Sequence, residues 1–333
     1  MPLRHGGRRR EASRRFGIPY DDWLDLSTGI NPSGWDVPAP PSSVWATLPE
    51  EGDGLEDAAA SFYGSSHCLP VAGSQAALQL LPWLCPAGPV TLFSPSYQEH
   101  ERAWRRAGHS VRPLPVEAQD IDADAGGAVV VVNPNNPTGT VRSLGQLLDW
   151  RERLAARGGW LIVDEAYLDP HPECSLIPWA DQPGLIVLRS LGKFFGLAGL
   201  RLGFVFAEPA LRQAIGAWLG PWPVAHPSRW AATQALRDRV WQRQTRSRLA
   251  EHGQRLATLL ASQGIPPAGG CELFQWLAGA AAAQLHEALA RQGVLTRRFD
   301  NPPGLRLGLP GDESAWARLA AALAHGLNQR RNV

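Results

Sequence analysis

The sequence predicts an α/β protein, with a large domain built on a mostly parallel sheet and a second, small α/β domain. Two observations carry this. Between about residues 55 and 225, short apolar runs alternate with helical patterns, the strand–helix–strand rhythm that yields a parallel sheet covered by helices. The 333-residue chain also has length for a second domain, and the Pro/Gly stretch "SQGIPPAGG" at 262–270 marks where a shorter set of elements begins.

The opening, "LRHGGRRREASRRFG" at 3–17, holds six arginines (Arg4, Arg8, Arg9, Arg10, Arg14, Arg15) against one glutamate. Arginines interrupt it throughout, so it lacks the apolar core of a secretory signal. Arg8 to Arg10 either lie on an exposed helix face or add local positive potential for an anionic ligand, and residues 1–19 are the stretch that the resemblance given below implies to be an arm over the active site. Residues 20–48 and 226–333 are assigned to the small domain and 49–225 to the large one.

Within the large domain, "PVTLFS" (89–94), "AVVVVN" (128–133), "WLIVDEA" (160–166), "GLIVLRS" (184–190) and "LGFVFA" (202–207) are short, β-branched and nearly uncharged. Such runs suit strands buried on both faces. "VRSLGQLLDWRERLAAR" at 141–157 is an amphipathic helix, and a long helical stretch covers roughly 228–262. The small domain then offers a strand ("CELFQWLA"), a helix at 281–292, two short strands ("GVLTRRF", "GLRLGLP") and a final helix from about 312. "WLAGAAAAQL" at 276–285 is too short to span a membrane and reads as a strand running into a helix.

With 32 basic and 31 acidic residues the net charge is +1, so neither nucleic acid nor a membrane surface is an expected partner. Cys68, Cys85, Cys174 and Cys271 are scattered, without metal-ligand spacing. They read as free thiols of a cytoplasmic protein with no metal site.

Four segments lie at or just beyond strand ends, where ligands of a parallel sheet gather: "AGSQAAL" (72–78), "NPNNPTG" (133–139), "DEAY" (164–167) and "SLGKFFGLAGLRLG" (190–203). Each alone is a common turn or cap. Together, and in this order, they resemble the signature of pyridoxal-phosphate enzymes of the aspartate aminotransferase fold, a resemblance that runs over nearly the whole chain.

The resemblance implies an aspartate-aminotransferase-like fold with a seven-stranded sheet in the large domain, pyridoxal 5'-phosphate as cofactor, and a homodimer. It implies Lys193 as the Schiff-base lysine, since a primary amine is needed to condense with the cofactor aldehyde. Asp164 would hold the pyridine nitrogen protonated. Tyr167 and Asn136 would bond the phenolic oxygen, and Tyr97 would stack on the ring. Ser74, Gln75, Ser190 and Arg201 would hold the phosphate, the first two at a helix start suited to an anion.

"DLSTGINPSG" at 25–34 is close to a pattern shared by histidinol-phosphate aminotransferases and threonine-phosphate decarboxylases, and it would point Asn31 at the substrate. "HGG" at 5–7, with "EA" at 11–12 and "GIP" at 17–19, resembles the N-terminal arm of the threonine-phosphate decarboxylases of cobalamin biosynthesis. That arm implies a substrate-phosphate role for His5, Gly6 and Gly7. Arg297 stands in the place of a phosphate-binding arginine and Arg306 in that of the carboxylate-binding one, while Arg298 should point the opposite way if 294–299 is a strand.

The expected reaction is decarboxylation of O-phospho-L-threonine, a small phosphorylated amino acid, to (R)-1-aminopropan-2-ol phosphate and CO2. A histidinol-phosphate-type aminotransferase is the alternative. A non-catalytic homologue or a DNA-binding regulator with an aminotransferase-like domain is more remote. One departure stands out: many relatives have a tyrosine where this chain has Leu48, so a cross-subunit contact to the cofactor phosphate through that position is in doubt.

Overall fold

The computed structural model describes residues 5–86, 88–123 and 126–331, with side chains at the C-terminal end described through Leu327. Met1 to Arg4, the first part of the expected arm, lie outside the described residues. The chain divides into a terminal unit (Met1–Ser33, Pro137–Gly139, Thr245–Val333) and a central unit (Gly34–Asn136, Thr140–Gln244).

This differs from the expected boundaries at 48/49 and 225/226. Segment 34–48 and helix 226–237 hold to the central unit by specific polar contacts. The Trp35 N–H donates to the Phe195 carbonyl at 2.9 Å, and Arg229 donates to Asp53 at 2.7 Å and to Glu56 at 2.8 Å. Of the expected arm, Ala12 and Phe16 pack with Trp23, Ala290 and Leu295 of the terminal unit.

In chain order the terminal unit opens with α1 (Arg9–Phe16) and β1 (Leu24–Asp25). The central unit follows with α2 (Ser43–Ala46), α3 (Leu55–Tyr63), β2 (Cys68–Val71), α4 (Ser74–Leu84), β3 (Pro89–Ser94), α5 (Gln98–Arg106) and β4 (Ser110–Pro115). It continues through β5 (Ala128–Val132), α6 (Leu144–Ala155), β6 (Trp160–Asp164), β7 (Leu185–Ser190), β8 (Gly203–Ala207), α7 (Pro209–Leu219) and α8 (His226–Arg237). The long α9 (Arg239–Ser262) returns the chain to the terminal unit. There β9 (Gly269–Cys271), β10 (Phe274–Ala278), α10 (Ala282–Arg291), β11 (Val294–Leu295), β12 (Arg297–Asp300), β13 (Pro303–Gly308) and α11 (Glu313–Arg331) complete it.

The central sheet has seven strands in the order β2-β8-β7-β6-β5-β3-β4. All neighbours run parallel except β8, which is antiparallel to both β2 and β7. Every residue of β5 is buried, as an unbroken valine run covered on both faces requires. Val90, Val130, Ile162, Ile186 and Val205 form one core with Leu78 and Leu81 of α4 and Trp104 of α5.

The terminal unit carries a four-stranded antiparallel sheet, β12-β13-β10-β9, and a parallel pair, β1-β11. Two expected elements are each split. "CELFQWLA" becomes the hairpin β9-β10. The helical stretch at 228–262 breaks at Asp238, whose carboxylate accepts the Trp241 N–H of the new first turn at 3.0 Å, a side-chain cap that starts α9 afresh.

Candidate active site

The C-terminal ends of β5, β6 and β7 bring the central unit's candidate residues to one edge of the sheet: Asn136 beyond β5, Asp164 and Tyr167 at and after β6, Ser190 and Lys193 at and after β7. β2 ends in a turn that starts α4 at Ser74. Gly73 makes that turn at φ 72° and offers no side-chain cap to the helix. A Cβ on Gly73 would lie 2.8 Å from Arg201 Nη2, and one on Gly203 would lie 2.6 Å from the Ser74 nitrogen. The helix start and the guanidinium therefore crowd together at a place that only glycine leaves open.

Arg201 itself holds a left-handed backbone, φ 52°, uncommon away from glycine, and Nη1 donates to the Ala198 carbonyl at 3.1 Å. Such strain persists where the surroundings demand a particular side-chain position. An uncapped helix N-terminus beside a guanidinium is an anion site.

Asp164 is 4% exposed, with Oδ1 accepting the Ala166 N–H at 3.1 Å and Oδ2 3.0 Å from His100 Nε2. Tyr97 donates its hydroxyl to Gln75 Oε1 at 3.0 Å and meets His100 edge-on. Burial, with Asp164 adding to it, pushes the Tyr97 phenol well above its usual range, so it stays a neutral donor. Lys193 Nζ sits 5.5 Å from the centre of the Tyr167 ring. Ser190 Oγ accepts the Gly192 N–H at 3.3 Å, shaping the turn that presents Lys193. These residues fit pyridoxal phosphate: an anion site, a buried carboxylate for the pyridine nitrogen, a primary amine and two phenols.

The candidate substrate residues fall in the terminal unit. His5, Gly6 and Arg297 line one cavity of about 100 Å³ together with Ser27, His286 and Thr296. Arg8, Arg15 and Arg298 also line it, and Glu11 and Asp300 on the same wall pair with Arg8 and Arg298, so the wall keeps a net positive charge. Along β12 Arg297 is half-buried and Arg298 exposed, the alternation expected, yet both reach this cavity. The expectation that Arg298 turns away thus holds for burial alone.

Arg306 is buried on β13, over the Phe274 ring at 5.2 Å, and donates from Nη2 to the Ser27 carbonyl at 2.9 Å. Gly7 adopts φ 79° and donates its N–H to Ser27 Oγ. Asn31 is buried, and its Oδ1 accepts the Ser33 N–H at 3.0 Å, closing the turn of the Asn-Pro-Ser-Gly stretch.

Sequence reasoning missed three groups. His100 lies three residues after Tyr97 in "PSYQEH" but 64 before Asp164, and no local pattern links a histidine to a carboxylate at that separation. Ser27 sits inside the recognised "DLSTGINPSG" stretch, where its hydroxyl gave no distinct signal. The third is a fully buried ion cluster. Arg189 contacts Glu165 and Asp169, each at 2.9 Å, and Glu165 also accepts from the Ser175 hydroxyl and the Leu176 N–H. Burial pushes the Glu165 carboxyl up against the pull of Arg189.

Residues 46–323 match the family model of class I and II aminotransferases. The chain is 56% identical over 321 residues to the threonine-phosphate decarboxylase of Pseudomonas aeruginosa, covering 96% of this chain and 97% of that protein. It is 42% identical to the threonine-phosphate decarboxylase of a Sinorhizobium species, covering 97% of this chain and 98% of that one. Among solved structures, the histidinol-phosphate aminotransferase of Sinorhizobium meliloti in complex with pyridoxal-5'-phosphate superposes with a TM-score of 0.80 at 21% identity. That match covers 99% of this chain and 96% of the other, and it shows a shared fold.

Proposed function

Because the chain belongs to the class I and II aminotransferase family, we propose that it is a pyridoxal-phosphate-dependent threonine-phosphate decarboxylase of cobalamin biosynthesis. The observation that carries this reading is the terminal unit's net-positive cavity, which brings His5 and Gly6 of the arm, the feature by which the decarboxylase reading departs from the aminotransferase one, together with Arg297. Whole-length similarity to proteins named threonine-phosphate decarboxylase supports it.

Ser74, Gln75, Ser190 and Arg201 would hold the cofactor phosphate, Asn136 and Tyr167 its phenolic oxygen, Tyr97 its ring face and Asp164 its nitrogen. Bound there, the cofactor supplies an aldehyde for an amine to condense with and a ring able to accept the electron pair left when a bond to Cα breaks. Asp164 keeps a proton at the ring nitrogen, and His100 holds the carboxylate that does so. Lys193 supplies the amine that carries the cofactor. Released from the cofactor, Lys193 Nζ would be an amine able to hold a proton for Cα.

Reaction type is a matter of orientation, because the bond held perpendicular to the ring is the one that breaks. His5, Gly6, Gly7 and Arg297 would bind the phosphate end of phosphothreonine and Arg306 its carboxylate, with Asn31 also pointing at the substrate. Two fixed anionic ends define the substrate's tilt. Guanidinium forks suit both groups bidentately, as lysine would not.

A homodimer accords with Trp45, Leu48, Trp218 and Trp222, large apolar side chains of the central unit left exposed. Leu48 would then contribute apolar contact where a tyrosine would have contributed a hydroxyl. Cytoplasmic placement accords with four free cysteines. Among the described residues, no helix is long and apolar enough to cross a membrane.

Product analysis with phosphothreonine and no keto acid tests the reading. A decarboxylase releases CO2 and (R)-1-aminopropan-2-ol phosphate over many turnovers. An aminotransferase would stop after one turnover, with keto product and no CO2, and that result would refute the assignment.

A further inference from the structure

Ser27 follows β1, is 2% exposed, and is engaged on every polar atom. Its hydroxyl donates to Asp25 Oδ1 at 2.5 Å while accepting the Gly7 N–H at 2.7 Å. Its own N–H reaches the same carboxylate oxygen at 2.9 Å. Its carbonyl accepts Arg306 Nη2 at 2.9 Å. A serine that only shaped the local turn would need the bond from its N–H to Asp25 and no more.

Gly6 rests against the same peptide. A Cβ there would lie 2.3 Å from the Ser27 carbonyl oxygen and 2.8 Å from its carbon, so only glycine permits this approach. Two consecutive arm glycines thus use one residue, the first for contact with its carbonyl and the second for a hydrogen bond to its hydroxyl. Arg306 meets that carbonyl as well.

Charge makes such a seat necessary. The arm brings Arg8 and Arg15 to a cavity that Arg297 and Arg298 also line, where Asp300 offsets Arg298 and the remaining positive charge opposes docking. Arg15 finds Glu287 at 2.7 Å, but that pair is exposed and so adds little. Arg8 pairs with Glu11 of its own helix, a contact that lies within the arm. The contacts at Gly6 and Gly7 involve no arginine side chain of the arm and escape this repulsion.

We propose that Ser27 is a positioning residue that seats the His-Gly-Gly arm and, through its carbonyl, sets that arm in register with Arg306. The seat brings the arm's phosphate contacts and the carboxylate arginine to one fixed spacing, and so acts on substrate binding without touching substrate. Its link to phosphothreonine rests on the decarboxylase reading; the seat itself does not.

The test uses the full chain, Ser27→Ala, Gly6→Ala and the double variant, each with cofactor bound. Brief trypsin treatment, followed by mass spectrometry for loss of the arginine-rich N-terminal peptide, reports how often the arm leaves its seat. Ser27→Ala should be cut about 5–10-fold faster, the factor expected for one neutral hydrogen bond of about 1–1.4 kcal/mol, and Gly6→Ala, whose Cβ would meet the Ser27 carbonyl, should be accelerated at least as much. The double variant should be no faster than the faster single, because both lesions free the same arm. In Ser27→Ala, KM for phosphothreonine should rise by a similar factor, with kcat and cofactor affinity little changed. Cleavage at the parent rate in both singles, or additive effects in the double, would overturn the seat. Faster cleavage with a loss of kcat and an unchanged KM would overturn its role in substrate binding. Faster cleavage in a protein whose parent form does not turn over phosphothreonine would instead refute the decarboxylase reading and leave the seat supported.

Discussion

At the scale of single residues, His286 shows how the cavity in the terminal unit keeps its charge steady. Its Nδ1 lies 2.8 Å from the Thr296 hydroxyl. Burial, reinforced by Arg298 and Arg15, lowers its pKa from 6.5 to about 4. The ring is therefore neutral at ordinary pH and adds no charge to the cavity's wall. A folded pKa below the unfolded one means that the unfolded chain takes up the proton first as pH falls. Stability from this group is complete above about pH 6.5 and is lost as pH drops toward 4, at up to about 1.4 kcal/mol per pH unit. His286→Gln removes the titration, so urea midpoints of the variant should fall less steeply than those of the parent between these limits. Parallel curves would show that His286 does not titrate in this way.

At the scale of elements, Arg189 near the end of β7 holds the segment that leaves β6. Its two carboxylate partners bracket Tyr167 in sequence, and Glu165 directly follows Asp164. The cluster thus fixes the loop that carries two cofactor candidates against the strand that leads to Lys193. Arg189→Met would strand two buried carboxylates without their cation, a change that costs about 3–5 kcal/mol. Equilibrium unfolding in urea should show that loss, and a variant within about 1 kcal/mol of the parent would mean the cluster is relaxed or hydrated. None of this is legible in the sequence, because Arg189 reads there as the polar end of an apolar strand. The largely apolar strands β5 to β8 are legible, since burial on both faces writes itself into composition. The outer strands β2 and β4 are not. β4, "SVRPLP", is an edge strand that tolerates prolines and exposes an arginine, so it carries neither an apolar run nor alternation. Eight of the nine cofactor candidates stand out because they cluster in four short segments at strand ends, with Tyr97 apart from them in "PSYQEH". His100 and Ser27 act through partners distant in sequence, and such pairs leave no local trace.

At the scale of the whole molecule, the two units divide the candidate residues by task. All nine cofactor candidates belong to the central unit, and His5, Gly6, Gly7, Asn31, Arg297 and Arg306 belong to the terminal one. A lesion confined to the arm should therefore separate substrate recognition from cofactor affinity. Removing residues 1–10 takes away His5, Gly6 and Gly7 but spares most of α1, including Ala12 and Phe16, whose contacts with Trp23 and Leu295 anchor the helix. One charge-assisted hydrogen bond is worth about 1.5–3 kcal/mol, so loss of the arm's phosphate contacts should lower kcat/KM for phosphothreonine by at least about 10–150-fold. Titration of the apoprotein with pyridoxal phosphate, followed by absorbance, should give the same affinity before and after truncation. Equal losses in both measurements would mean that the arm maintains the fold as a whole, and the division of tasks between the units would fail with it.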